Sequence, residues 1–362
     1  MSSINILLPE KNFSKEENRM LANFPEINRA TYLDGRFESG TENYVNDQFM
    51  FRNGFIKIKS AFDKTRGINK SNGVLIGKKG FFFEERVPLS HKREADTVRA
   101  LTEFKKRYSN KKIYFLLVPN SFNILKDNLP LFSVDQDQNK DMDKFFGDIK
   151  GINIEPIDVR KDFKEYKNKE ELYYMTDHHW TSIGAMTAYK RLASVMNLAR
   201  PEYKPYVVKT DFLGTLTSRS GFSPKKCDNI ITFLPKENKY ANYLVFDGET
   251  KEKTNKYYNI KNLKKKDAYT YFGGENKPLY TIESPVKNGK TLLLIKDSYA
   301  NSIIPFLADK FSKILVVDPR YYFDNIDDLI EAEGVEEILF LYNANTLFSD
   351  DSLAMGIEDV VE

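Results

Sequence analysis

The sequence predicts an α/β protein built on a parallel sheet flanked by helices. Residues 291–295, 314–317 and 337–341 are short, continuous apolar runs, each separated from the next by a helical pattern. Strands buried on both faces read this way. A fourth run, 113–118, follows a helical pattern over 91–108 and is stopped by Pro119-Asn120-Ser121. With 362 residues, the chain is long enough for one large α/β domain or a domain with a substantial insertion. Hydrophobic content of 41% and aromatic content of 14% supply a core and exclude a disordered chain.

In chain order, residues 14–66 read as helices. Glu17-Asn18-Arg19 leads into Leu21 and Phe24, and a second pattern runs from Tyr44 through Phe49, Phe55, Ile58 and Phe62. Residues 73–83 read as a hairpin, two apolar runs around Gly77-Lys78-Lys79-Gly80. Beyond the 91–108 helix and the 113–118 strand come a helix over about 139–148 and a strand near Ile154 to Val159. Thr181 or Ser182 can cap a helix running to Met196, with Ile183, Met186, Tyr189, Leu192 and Val195 on one side. Between Thr210 and Tyr280 the texture turns to short Tyr, Phe, Val and Ile runs with Gly-Gly and Lys/Asn-rich turns, which reads as a β-rich insertion or flap. No fixed-period repeat and no Pro/Ser/Gly linker divides the chain. The expected organisation is a helical region over 1–72 packing on the core, an α/β domain over 73–348 with its insertion at about 210–285, and a tail over 349–362.

Composition also narrows function. The 55 basic and 52 acidic residues leave a net charge of +3, unlike the clustered basic footprint of a nucleic-acid binder, so no nucleic-acid partner is expected. Lys-rich stretches such as 261–266 read as solvated loops. Cys227, the only cysteine, can form no internal disulfide and no cysteine zinc cluster. It has no histidine nearby in sequence and reads as a structural or surface thiol. No stretch approaches the ~20 apolar residues of a membrane span. The start, Met1 to Pro9, is too short for a signal peptide and lacks its basic flank; it could be the remnant of a longer export or anchor segment.

Histidine is the usual general base near neutrality. Two of the three histidines stand together in Asp177-His178-His179-Trp180, beside an aspartate and the only tryptophan. The third, His91, reads as a solvated residue at a helix start. In open α/β sheets, sites form where strand ends lead into helices. Three such ends carry polar groups: Lys296-Asp297-Ser298, Asp318-Pro319-Arg320 and Tyr342-Asn343-Ala344-Asn345. A serine just past a buried strand, opening a helix, has the setting of a nucleophile. Asp177 and His179, at i and i+2, could supply orienter and base from one loop if that backbone is extended. Other readings stand beside this one. Ser298 or Asp297 could be a helix cap. Asp177, His178 and His179 could be purely structural, or could bind zinc, with His91 then needed as a further ligand.

Tyr174 to Thr181 with Gly184 resembles the signature of the DHHW protein family, related to alginate O-acetylation proteins of the AlgX/AlgJ type. Glu17-Asn18-Arg19 with Phe24-Pro25, Asp47, Arg52 and the 76–83 hairpin are similar to its amino-terminal features. Val118-Pro119, Phe212-Leu213-Gly214, Asp297-Ser298-Tyr299 and Asp318-Pro319-Arg320-Tyr321 resemble later ones, so the likeness runs from about residue 14 to 348. It implies a circularly permuted fold like that of SGNH hydrolases, with Ser298 as nucleophile, His179 as base and Asp177 as orienting acid. His178 would then pack or support. Lys296 stands where an ordinary GDSL site has glycine. Arg320 and Asn343 are the oxyanion or substrate-binding candidates, since they follow neighbouring core strands; Arg320 could instead only hold Asp318. The implied activity is O-acetylation of an extracellular bacterial polysaccharide, with no cofactor, no metal and a membrane-bound acyltransferase as acetyl donor. The implied location is extracellular, at the cell surface or membrane-anchored, with the anchor or signal segment outside this sequence. An acetylesterase with the same triad and a non-catalytic glycan-binding component of a secretion complex are the alternatives.

Overall fold

The computed structural model describes residues 12–14, 19–33, 35–49, 51–131, 133, 137–199, 202–236, 243–287 and 289–358. The start of the chain and Glu17-Asn18 lie outside the described residues. Phe13–Ser14 (β1) pairs with Arg19–Met20 (β2), so Arg19 opens a short strand rather than the expected helix, and residues 21–28, Pro25 among them, belong to no helix or strand. Helices Arg29–Leu33 (α1), Arg36–Gln48 (α2) and Arg52–Thr65 (α3) follow. The single helical pattern read through Phe49 is broken at Phe51, whose φ of 60° is left-handed. Phe51, Phe55, Ile58 and Phe62 are exposed rather than packed on the core.

Lys70–Ser71 (β3), Val74–Ile76 (β4) and Phe82–Glu84 (β5) form the expected hairpin with one added strand. His91–Arg107 (α4) starts because Ser90 caps it, accepting from the Arg93 N–H. Its last turn carries Lys105, Lys106 and Arg107, which complement the negative end of the helix dipole. Then come Lys112–Val118 (β6), Ser121–Ile124 (α5), Asn139–Gly151 (α6), Glu155–Asp158 (β7), Arg160–Glu165 (α7) and Ser182–Val195 (α8). Thr181 caps α8 by accepting from the Ile183 and Gly184 N–H groups. Tyr203–Phe212 (β8), Thr215–Ser220 (α9), Asp228–Pro235 (β9), Leu244–Asp247 (β10), Lys253–Thr254 (β11) and Leu279–Glu283 (β12) make up the β-rich region. Thr291–Lys296 (β13), Ile304–Ala308 (α10), Lys313–Val317 (β14), Ile326–Ala332 (α11), Glu337–Asn343 (β15), Ala344–Ser349 (α12) and Ser352–Ile357 (α13) complete the chain.

The main sheet has the order β11-β10-β12-β14-β13-β15-β6-β7. Strands β14, β13, β15, β6 and β7 are parallel, while β12, β10 and β11 add antiparallel strands at one edge. The sheet is therefore mixed, not purely parallel. The reason lies in the 210–285 region, part of which extends the sheet, while β8 and β9 form a separate ribbon.

Side-chain alternation divides the core in two. Tyr114, Leu116, Val118, Leu292, Leu294, Ile314, Val316, Leu339 and Leu341 face α8, α10 and the β-rich region. Ile113, Phe115, Leu117, Leu293, Ile295, Leu315, Val317, Ile338 and Phe340 face α4, α6, α11 and α13. Full burial of such a side chain contributes roughly 1.5–3 kcal/mol before the entropy cost. The continuous apolar runs are thus explained, since alternate residues feed opposite cores. Register pairs Lys296 with Leu341 and Asn343 with Val118, so the polar residues following β13, β15 and β6 emerge at one edge.

Candidate active site

Ser298 follows β13 and opens a short 3-10 turn, Ser298–Ser302, rather than an α-helix. Asp297 caps that turn by accepting from the Tyr299 N–H at 2.9 Å. The other oxygen of Asp297 accepts from the backbone N–H and side-chain amide of Asn343, at 2.8 and 2.7 Å. One carboxylate thereby fixes the serine turn to the neighbouring strand end, while Ser298 itself stays half-buried.

The histidines sit on a bent loop, closed by the bridge between Tyr173 and Trp180 and by the bond from Thr181 N–H to the Leu172 carbonyl. Asp228, at the start of β9, accepts from the N–H groups of Met175 and Thr176, both at 2.8 Å, and from the Thr176 hydroxyl. Two rings fasten this loop to the serine turn. Trp180 Nε1–H donates to the Tyr299 carbonyl at 2.8 Å, and the Tyr299 hydroxyl donates to the His178 carbonyl.

The three expected residues meet. His179 Nε2 lies 2.8 Å from Ser298 Oγ, and His179 Nδ1 lies 2.6 Å from Asp177 Oδ1. The backbone is bent rather than extended here, yet the Asp177 side chain still reaches the imidazole. Asp177 is 1% exposed and accepts also from the His179 N–H at 3.0 Å and from the Thr215 N–H and hydroxyl at 2.8 and 3.0 Å. Burial alone would raise its pKa, but the two imidazoles and these donors hold the carboxyl well below the usual carboxylate range. His179 is pushed down to about 4, by burial first and by His178 second, against the opposing pull of Asp177. At neutral pH its Nδ1–H therefore faces the carboxylate and its Nε2 lone pair faces the serine hydroxyl.

The same accounting fixes His178. The Thr215 hydroxyl gives its one proton to Asp177, so His178 Nδ1, 3.0 Å from that oxygen, must be the donor. Asp177, His178 and His179 bring potential ligand atoms within 4.8 Å of one another, without His91. In the bonds described, the two Nδ1 atoms are turned to the Thr215 hydroxyl and to Asp177. His91 is the first residue of α4, with its side chain 96% exposed.

The two further candidates do other work. Asn343 spends its amide hydrogens on Asp297 and on Thr346 Oγ1, and its oxygen accepts from Asn120 and the Thr346 N–H. It braces the serine turn and caps α12, which occupies both amide hydrogens that an oxyanion would need. Arg320 binds Asp318 through Nε at 2.8 Å and Nη2 at 2.6 Å. Lys296 is 1% exposed; its ammonium lies 3.0 Å from Asn301 Oδ1 and 3.5 Å from Asp318 Oδ2, and burial lowers its pKa. Lys296 and Arg320 thus share Asp318 under the serine turn, with the Asp297 carboxylate as the second anion acting on both.

Residues not singled out from the sequence complete the site. Thr215 follows the Phe212-Leu213-Gly214 string, where the glycine was the available signal. A Cβ at Gly214 would lie 2.3 Å from Asp177 Cβ, so a side chain there would displace the acid. Tyr269, from the β-rich region, stacks on His179 with centroids 3.7 Å apart and planes 12° apart. Its hydroxyl donates to the Ser298 carbonyl at 3.1 Å. No spacing distinguishes Tyr269 from its aromatic neighbours, and Asp228 likewise carried no local signal.

A strand-end serine, a buried histidine–aspartate pair and a sheet of this order define an SGNH hydrolase-like α/β protein. Residues 74–221 match the family model described as the SGNH hydrolase-like domain of acetyltransferase AlgX. The probable alginate O-acetylase AlgJ of Pseudomonas syringae pv. tomato is 23% identical over 237 residues. That match takes in 62% of this chain and spans 58% of the relative. Among solved structures, a DHHW family protein from Eubacterium siraeum superposes with a TM-score of 0.65 at 23% identity, covering 80% of this chain and 95% of that one. PatB1 of Bacillus cereus gives 0.64 at 19% identity, covering 77% and 98%. These matches uphold the resemblance to the DHHW family and its AlgX/AlgJ-type relatives. Among the described residues, no helix is long and apolar enough to cross a membrane.

Proposed function

We propose that the chain is an O-acetyltransferase acting on an extracellular bacterial polysaccharide through Ser298, His179 and Asp177. The observation that carries this reading is the 2.8 Å approach of His179 Nε2 to Ser298 Oγ, with Asp177 held behind the ring. Ser298 Oγ attacks the acetyl carbonyl of a donor while His179 takes its proton, and the departing oxygen of the donor receives that proton, leaving acetyl-serine. A sugar hydroxyl then attacks, giving its proton to His179, and Ser298 Oγ leaves and takes the proton back. The Ser298 N–H is the first oxyanion donor in this scheme. Its neighbours are spent, Asp297 N–H on the Leu341 carbonyl and Tyr299 N–H on Asp297, whereas no acceptor takes the Ser298 N–H among the described residues. A membrane-bound acyltransferase as donor and a location outside the cytoplasm, surface-held or anchored, belong to the same proposal. Water in place of the sugar would make the same site an acetylesterase.

The test is turnover of 4-nitrophenyl acetate with and without an oligosaccharide acceptor. Ser298→Ala should lose at least about a thousandfold in turnover, as loss of a triad member commonly does. Wild-type turnover in that variant rules out the nucleophile.

A further inference from the structure

We infer that the acceptor is an uncharged sugar chain, bound in a polar cleft beside the triad, and not a polyuronate; this rests on the transferase reading above. The cleft, about 430 Å³, is lined by Asn72, Glu84, Glu85, Arg219 and Asn345 among others. Its volume lies within the range of about 300–1,000 Å³ usual for ligand sites. It adjoins the site through two elements already fixed to it. Asn345 lies two residues after Asn343, which holds Asp297, and β5 carries Glu84 two residues after Phe82, whose N–H donates to the Met175 carbonyl of the histidine loop. The charge of Glu84 is felt at His179.

Charge decides what the cleft accepts. A uronate carboxylate needs a cation whose charge is not already matched by a protein carboxylate, usually an arginine. Arg219 instead directs Nη1 to Glu84 at 2.9 Å and Nη2 to the Gly73 carbonyl at 3.1 Å. Lys70 is paired with Glu85 at 2.6 Å. On the other side of the serine turn, Lys296 and Arg320 are both drawn to Asp318, and the Asp297 carboxylate is the second anion acting on them. Each cation that the described residues place around the site is thus matched by a carboxylate. Asp267 adds another acid near the histidines; burial and Asp177 push its carboxyl up to about 6, so it is still largely charged at neutral pH. A chain with one carboxylate per sugar would meet Glu84 and Glu85 without compensation. Hydroxyl-rich neutral sugars instead find the acceptors of Glu84 and Glu85, the exposed amide of Asn72 and the part-exposed His178 ring, 28% exposed.

A matched pair of probes isolates charge: β-1,4-tetramannuronate and its carboxyl-reduced counterpart, β-1,4-tetramannose. Each is titrated into the Ser298→Ala protein at low salt, with binding followed by NMR. We expect tetramannose to bind at least tenfold more tightly, and Glu84→Gln, which keeps the shape and an acceptor for Arg219, to narrow that ratio at least threefold. Equal or tighter binding of tetramannuronate overturns the inference, as does binding of neither sugar or a ratio that Glu84→Gln leaves unchanged. Failure of the transferase reading shows elsewhere, in ester turnover that survives Ser298→Ala.

Discussion

Tyr269 lies flat on His179, ring centroids 3.7 Å apart, while its hydroxyl holds the carbonyl of Ser298. One aromatic side chain from the β-rich region therefore shields the imidazole and positions the serine, which links the region inserted before β13 to the chemistry at the sheet edge.

Separating these two duties gives the first prediction. Tyr269→Phe keeps the stack and should reduce turnover of 4-nitrophenyl acetate only about three- to tenfold, a cost of about 1 kcal/mol typical of one hydrogen bond. Tyr269→Ala removes both and opens the imidazole to water. It should cost more, and should also move the acidic limb of kcat/KM to higher pH. If both variants shift neither turnover nor the limb, the tyrosine is only packing.

The pH profile of the intact protein follows from His179. Its pKa of about 4 in the folded chain lies below its usual 6.5, so the neutral, proton-accepting form persists as pH falls through that interval. We expect kcat/KM to rise through pH about 4 and to stay level to neutrality. A midpoint near 6.5 contradicts this. The linked effect on stability has a definite sign. Between pH 6.5 and about 4 the unfolded chain binds a proton that the folded chain refuses, so urea denaturation should show stability lost as pH falls through that window.

Gly214→Ala tests the floor beneath Asp177. The new Cβ, 2.3 Å from Asp177 Cβ, must displace either the acid or the Thr215 turn. Overpacking of this kind costs about 1–3 kcal/mol, readable as a lower urea midpoint at unchanged m-value. Turnover should fall with it, because the Thr215 donors leave Asp177. Unchanged stability and turnover would show that the turn relaxes freely.

Thr215→Val removes a hydroxyl that donates to Asp177 and accepts from His178. Buried Asp177 and part-exposed His178 lose a bond at once, which should lower stability by about 1–3 kcal/mol. The NMR signal of the His178 ring N–H should also change, since its acceptor is gone. An unaltered His178 signal would contradict the tautomer assigned here.

The parts of this architecture that were legible in the sequence are those where one periodicity acts alone. Strands β13, β14, β15 and β6 carry apolar residues on both faces, and α4 and α8 carry local caps at Ser90 and Thr181. The meeting of Asp177, His179 and Ser298 was legible because histidine is scarce and the strand ends define an edge. Tyr269, Asp228 and Glu84 were not, since their positions depend on how the β-rich region and the hairpin fold back over that edge. Arg320 and Asn343 illustrate the converse. Both reach the expected edge, but sequence order could not reveal that Arg320 turns its fork to Asp318 or that Asp297 and Thr346 take the Asn343 amide. The short strand at Arg19 and the break at Phe51 were missed because apolar spacing carries no information about φ.

The most direct test of the account is intact-protein mass spectrometry after brief exposure to 4-nitrophenyl acetate, followed by peptide mapping. The account predicts one acetyl group, located on Ser298, and none in His179→Ala on the same time scale. An acetyl group on another residue, or one on Ser298 that forms equally fast without His179, would contradict the pairing on which the account rests.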